Sequence, residues 1–280
     1  MRATPDARAY PAGPMVGGGS QDSLGTRIRL RVLEQSHRAG VGHIGSALSI
    51  ADIVAALFDG VRRGDGGDRE RFVLSKGHAA LALYAALYET GRIGADALNS
   101  YCADGSPFGA HPEQTVDGID FSTGSLGHGL SIGAGAALAA RLQGSDRRTF
   151  VLLSDAELNE GSVWEAAMFA AQHRLGSLIA IVDVNGQQAL GYTKHVLDLE
   201  PLDARWRAFG WTAEVVDGHD ADALQEAIAR VDPAADRPTV LLARTTFGSG
   251  VSFMENQISW HYWPLSDEQF DQAVAEVRSP

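Results

Sequence analysis

TFVLLSDAELNEGSVWEAAMFAAQHRLGSLIAIVDVN, residues 149–185, changes its period twice. TFVLL and LIAIV are short, apolar and rich in β-branched residues, as strands covered on both faces are, whereas 160–174 carries a helical pattern. Both apolar runs are followed by acidic or amide residues: Asp155, Glu157 and Glu160 after the first, Asn185 after the second. Downstream, TAEVVD (212–217) and PTVLLAR (238–244) repeat the strand pattern, with helical patterns at 201–209 and 220–230. Strand and helix in alternation predict an α/β fold, a parallel sheet with helices on both faces.

Upstream, the pattern is helical. Leu24, Ile28, Val32 and Leu33 recur at helical spacing among Arg27, Arg29, Arg31 and Glu34, and Gly40 punctuates the end. SIADIVAALF (49–58), with Ser49 as its cap, and HAALALYAALYETG (78–91) are apolar nearly all round, as buried helices are. LGHGLSIGAGAALAARL (126–142) sets small residues on a helical pattern, which lets another backbone approach closely. Neither a repeat nor a linker interrupts 21–280, which predicts one domain. Residues 1–20, rich in Gly, Pro and Ala, read as a disordered tail without the apolar core of a signal peptide.

Composition narrows the function. A net charge of −12 over 280 residues opposes an electrostatic grip on nucleic acid or anionic lipid, and no apolar run reaches the length of an ordinary membrane span. Cys102 is the only cysteine, so a disulfide framework or thiolate zinc site within one chain is excluded, which suits a reducing cytoplasm.

In open parallel sheets, ligands bind beyond the carboxyl ends of the strands. Asp155 and Asn185 both fall there. If their strands are neighbours, a carboxylate, an amide oxygen and a backbone carbonyl would suit Mg2+, with phosphate oxygens and water completing the shell. The alternative is local: Asp155 caps the helix beginning near Glu160, and Asn185 opens an Asn-Gly turn.

Further residues add a resemblance. Asp155 and Asn185, 30 residues apart, resemble the thiamine diphosphate fingerprint of transketolases, written GDG, then about 25 to 30 residues, then an asparagine. GHIGSALSIADIVAALF (42–58), FVLSKGHAALALYAALY (72–88), AHPE (110–113), STGSLGHGLSIGAGAALA (122–139) and WHYWPLSDEQF (260–270) are similar to successive family blocks, in the same order. The resemblance spans about residues 24–270. It implies the PP-type thiamine diphosphate-binding fold, with Asp155, Asn185 and the Gln187 carbonyl on Mg2+ (or Ca2+ or Mn2+). His78 and His261 would touch the diphosphate. Gly124, Ser125 and Leu126 would lie against the cofactor, Ala156 would offer its N–H to a phosphate, and Glu157 stands in that group, though nothing beyond helix-end electrostatics is asked of its charge. His43, His111 and His261 would surround the reacting sugar and exchange protons, and Glu160 would join a carboxylate relay at a subunit interface. Asn159, Trp164 and Glu165 would help to fix that surface.

The implied reaction moves a two-carbon ketol unit from a ketose to an aldehyde acceptor, on a sugar or sugar phosphate. A complete transketolase chain is more than twice this length. The domain that binds the aminopyrimidine ring and brings its glutamate is expected on a partner, in an α2β2 heterotetramer. SDA replaces GDG, GSG (248–250) replaces GKG and His128 replaces a glutamine, which suggests a specialised relative in unusual or secondary sugar metabolism. Alternatives are the α chain of a 2-oxo acid decarboxylating enzyme, against which ELNEGSVWEA and VSFMEN weigh, and a non-catalytic scaffold of the same fold. A deoxyxylulose-phosphate synthase-like chain fits SKGH and WEAAMFAA poorly.

Overall fold

Ser23 starts the first helix by accepting the Thr26 N–H, and Gly40 ends it with φ 64°, a left-handed conformation that glycine adopts without strain. The computed structural model describes residues 23–61 and 69–279. The tail assigned to residues 1–20 lies outside them. In chain order the elements are α1 (Leu24–Ala39), α2 (Ile44–Ser49), α3 (Ala51–Ala56), β1 (Arg71–Leu74), α4 (Ala80–Glu89), α5 (Ala95–Asn99), α6 (Gly129–Leu142), β2 (Thr149–Ser154), α7 (Gly161–Gln172), β3 (Leu178–Val184), β4 (Gln187–Gln188), β5 (Gly191–Tyr192), α8 (Thr193–Val196), α9 (Leu202–Ala208), β6 (Thr212–Asp217), α10 (Ala221–Ala229), β7 (Thr239–Arg244) and α11 (Asp267–Arg278). Short 3₁₀ turns cover Gly77–Ala79, Ala156–Asn159 and Ile258–His261.

Five strands form one parallel sheet in the order β1-β2-β3-β7-β6. Side chains of a strand alternate between faces. Phe150, Leu152, Ile179, Ile181, Leu241 and Ala243 enter one core, with residues of α1, α2, α3, α4, α10 and α11. Val151, Leu153, Ala180, Val182, Val240 and Leu242 enter the other, with α6, α7 and α9. Helices therefore cover both faces. Because all five strands run the same way, the loops after β1, β2, β3 and β7 open on one carboxyl edge. That edge is the only place where residues near 76, 155, 185 and 245 can converge.

Several local expectations need correction. The helix assigned to 49–58 starts earlier, at Ile44, and breaks at Ile50 (φ −98°, ψ 6°). Ser49 caps nothing there; its hydroxyl donates to Asp183 (2.7 Å). TAEVVD is an edge strand with Val215 exposed, so one of its faces meets solvent. β1, the β4–β5 hairpin and α11 were not anticipated: β1 has four residues, the hairpin strands two each, and α11 lies within a mostly polar stretch, its start marked by the capping box of Ser266 and Gln269. Among the described residues, no helix is long and apolar enough to cross a membrane.

Candidate functional site

Asp155 follows β2 directly, and β2 and β3 are neighbours that pair Ser154 with Asp183. Its carboxylate is buried and accepts the N–H groups of Ala156 (2.8 Å) and Gly186 (2.8 Å), with Thr193 Oγ1 at 3.5 Å. Gly186, φ 74°, makes the sharp turn that aims its N–H back across the strand ends. Asn185 is equally buried; its Oδ1 accepts the Gln187 N–H (3.0 Å), and its Nδ2 donates to Asp183 (2.7 Å). Asp155, Asn185 and Gln187 thus form one connected unit. Burial first, then the Asp183 charge, push the Asp155 pKa up to about 7. A cation beside it would reverse both effects, so the donor set fits a hard divalent ion. Among the described residues, no cluster of three or more His, Cys, Asp or Glu offers another metal site.

Beneath this unit lies a network that sequence patterns do not single out. Lys76 and Asp183 are both fully buried, and their charges meet at 2.5 Å. Asp183 also receives Ser49 Oγ (2.7 Å), Asn185 Nδ2 (2.7 Å) and Thr245 Oγ1. A buried ion pair of this kind is stable only when further donors satisfy the remaining lone pairs. The available signal was an aspartate inside the otherwise apolar strand LIAIVDV and a lysine just past FVLS.

Glu157 is a second buried carboxylate. It accepts from Ser75 Oγ, the Gly127 N–H (2.8 Å) and the Ser154 N–H (3.3 Å), and burial pushes its pKa up. Helix-end electrostatics do not describe it: Glu157 braces the ends of β1 and β2 to the loop before α6. Gly127 sits under Glu160 and Ser162, where an added Cβ would come within 2.7 Å of the Glu160 Cβ. Glu160, just before α7, and Glu165, on it, are exposed, while Trp164 donates to the Leu158 carbonyl (2.8 Å) and Asn159 receives Gln188 Nε2 (3.2 Å).

Near Lys76 three imidazoles gather. Ring centroids separate His43 from His261 by 5.1 Å, His43 from His78 by 5.4 Å and His78 from His261 by 5.7 Å. His43 adopts φ 63°, uncommon for a non-glycine residue, and its N–H donates to the His261 carbonyl (3.1 Å). His78 Nε2 meets Ser46 Oγ at 2.9 Å. Burial lowers all three pKa values, His78 well below its ordinary range and His261 to about 4. Lys76 and the neighbouring imidazoles add to the lowering. These imidazoles are neutral near pH 7, and an arriving anion would raise their pKa values. His111 is exposed on the rim against Gly124, and its carbonyl accepts Tyr84 Oη (2.9 Å). Gly77 allows the loop to close: a Cβ there would stand 2.9 Å from the Gly124 nitrogen. Ser125 is exposed and Leu126 half-buried in the same loop.

The substitutions flanking Asp155 are compatible with this geometry. Ala156 is absent from the non-glycine residues with positive φ, which are His43, Cys102, Arg174 and Asn256 among those described, so it bears no left-handed strain. Its N–H, expected to face a phosphate, is engaged by Asp155 Oδ1. In the GSG loop, the Gly248 N–H donates to the Gly45 carbonyl (3.0 Å), and the Ser249 carbonyl accepts Arg29 Nε (3.2 Å).

Residues 20–277 match the profile described as "Transketolase, thiamine diphosphate binding domain". The chain belongs to the transketolase family. It is similar to a 6-deoxy-6-sulfo-D-fructose transketolase subunit from a Clostridium strain, 40% identical over 89% of this chain and 93% of that protein. It is also similar to an apulose-4-phosphate transketolase subunit of Phocaeicola vulgatus, 39% identical over 89% of this chain and 90% of that protein. The solved transketolase of Campylobacter jejuni superposes with a TM-score of 0.84 at 26% identity, covering 91% of this chain. This transketolase domain spans 42% of that longer chain. The family thus accounts for the parallel sheet and for a thiamine diphosphate site.

Leu190, Tyr192, Leu197, Ile258, Tyr262 and Trp263 are exposed apolar side chains. They flank the two segments that carry Gln187 and His261 in this transketolase domain.

Proposed function

We propose that this chain is the diphosphate-binding and metal-binding subunit of a two-chain transketolase, which transfers a two-carbon ketol unit from a ketose to an aldose or other aldehyde. The single observation that carries the reading is the pairing of a buried, cation-seeking carboxylate unit at the ends of β2 and β3 with three half-buried imidazoles that an anion would stabilise. Relatives that match along nearly their whole length are named as transketolase subunits, which favours this reading over a 2-oxo acid decarboxylating chain. A scaffold without catalysis would have no use for buried ionisable groups held at such cost.

Asp155, Asn185 Oδ1 and the Gln187 carbonyl would hold Mg2+, or Ca2+ or Mn2+ in its place. His78 and His261 would donate to diphosphate oxygens, and the loop at Gly124, Ser125 and Leu126, with Ala156, would lie against the cofactor while Glu157 holds that loop in place. Thiamine diphosphate, when bound, supplies the nucleophilic carbon and the electron sink that carbon–carbon cleavage requires. His43 and His111 would orient the sugar and exchange its hydroxyl protons through their ring nitrogens. His261 would serve both the diphosphate and the sugar, and Glu160 the interface between paired subunits. The partner would supply the pyrimidine-binding domain and its glutamate, seated over the exposed apolar rim, in an α2β2 assembly in the cytoplasm.

The test is reconstitution. The chain alone should transfer no ketol unit; with its co-expressed partner, thiamine diphosphate and Mg2+, it should turn over at least one ketose from a panel. Turnover by the lone chain would remove the two-chain proposal. Failure of the assembled pair to bind thiamine diphosphate would remove the enzyme reading altogether.

A further inference from the structure

Gln187 is 5% exposed, and neither Nε2 nor Oε1 has a hydrogen-bond partner. A primary amide carries two donor hydrogens and an acceptor oxygen, and protein interiors rarely leave such groups unmatched. At the strand ends Asp155, Asn185 and Asp183 are engaged with the other groups described above and not with this amide. The backbone N–H of Gln187 is also committed, to Asn185 Oδ1. Gln187 therefore adjoins Asn185 in the proposed metal-binding unit, buried and with the hydrogen-bonding capacity of its side chain open. A second buried orphan, His43 Nδ1, belongs to the same site.

We propose that the Gln187 carboxamide reads the ligand of this site: Nε2 donates to a diphosphate oxygen, and Oε1 accepts from water held on the divalent cation. A bare anion would satisfy only the donor end and a bare cation only the acceptor end. A hydrated metal diphosphate satisfies both. The assignment rests on the cofactor reading above but adds a side chain to it, since there Gln187 contributes only its carbonyl. The amide destabilises the empty site and strengthens the filled one.

Gln187→Leu, similar in size and apolar, separates these effects. Thermal melts of the chain without ligand should shift upward, while calorimetry on the assembled pair should show Mg2+–thiamine diphosphate bound about 10- to 30-fold more weakly, the equivalent of two hydrogen bonds. Gln187→Glu, which keeps an acceptor but sets a negative charge towards the phosphate, should lose more, and it serves if the leucine variant does not fold. Mg2+ with inorganic pyrophosphate should show the same relative loss. Unchanged affinity in both variants, or a loss for thiamine diphosphate but none for pyrophosphate, would overturn the assignment and leave the cofactor reading intact. If the unmodified pair binds neither probe, both fall together.

Discussion

The two groups of residues on either side of Lys76, the strand-end carboxylates and the imidazoles, are perturbed in opposite senses. On the strand-end side, burial and a neighbouring aspartate raise the pKa of Asp155 to about 7. On the imidazole side, burial and Lys76 lower His78 and His261. Each half disfavours its own charge when the site is empty, and each is relieved by the opposite charge. A metal diphosphate carries both, so the contrast describes a site complementary to a cation and a polyanion arriving together. Lys76 stands between the halves: it neutralises Asp183 on one side and repels protons from the imidazoles on the other.

Removing Lys76 should therefore disturb both halves at once. Lys76→Met leaves Asp183 buried and unpaired, and should cost about 3–5 kcal/mol in denaturant unfolding. Adding Asp183→Asn to the same chain should restore much of that loss; no recovery would mean that the pair does not act as a unit.

Asp155→Asn tests the strand-end half alone. On the proposed reading, in which Asp155 would hold the ion directly, its loss should weaken Mg2+-dependent thiamine diphosphate binding by about 100-fold or more, since even outer-shell partners cost roughly 10- to 100-fold. The same variant should melt at a higher temperature than the parent without ligand at pH 8, where the buried carboxylate is ionised. A lower melting temperature would show that Asp155 is already compensated without a cation.

The two halves also predict opposing pH slopes in the ligand-free chain. His261, lowered from 6.5 to about 4, binds fewer protons folded than unfolded, so its neutral-state stability is complete above pH 6.5 and is lost as pH falls towards 4. Asp155, raised from 3.8 to about 7, binds more protons folded, so its contribution is complete below pH 3.8 and is lost as pH rises through 7. Between about pH 4 and 6.5 they offset each other. In Asp155→Asn only the histidine part remains, and acid should destabilise it more steeply than the parent in a melting series. An identical slope would break the comparison.

The smallest effect concerns Ala156. Because its φ is not positive, Ala156→Gly, which restores the family's GDG residue, should gain no affinity and should cost about 0.5–1 kcal/mol of stability through chain entropy. A clear rise in cofactor affinity would show that the alanine side chain obstructs the site.

Much of this was legible locally. Asp155 and Asn185 were readable because each directly follows a strong strand signal, and a parallel sheet exposes such positions at one edge. The three histidines were readable only as members of separate blocks, 35 residues from His43 to His78 and 183 from His78 to His261. Glu157 was misjudged because burial is not a local property: its donors come from Ser75 and Gly127 as well as from Ser154. Ser49 was read as a cap for the same reason, with its true partner 134 residues away.

The sequence by itself determined the alternation of strands and helices, the two-sided burial of β2, β3 and β7, and the identity of the polar residues that end two of them. Period and turn chemistry are set within a few residues, so a single chain displays them. Only the tertiary structure decided the strand order β1-β2-β3-β7-β6, the Lys76–Asp183 pair beneath the site, and the orphaned amide of Gln187. Those depend on which distant segments exclude water from one another, and it is exclusion of water that turns an ordinary lysine, aspartate or glutamine into a group that must find a partner.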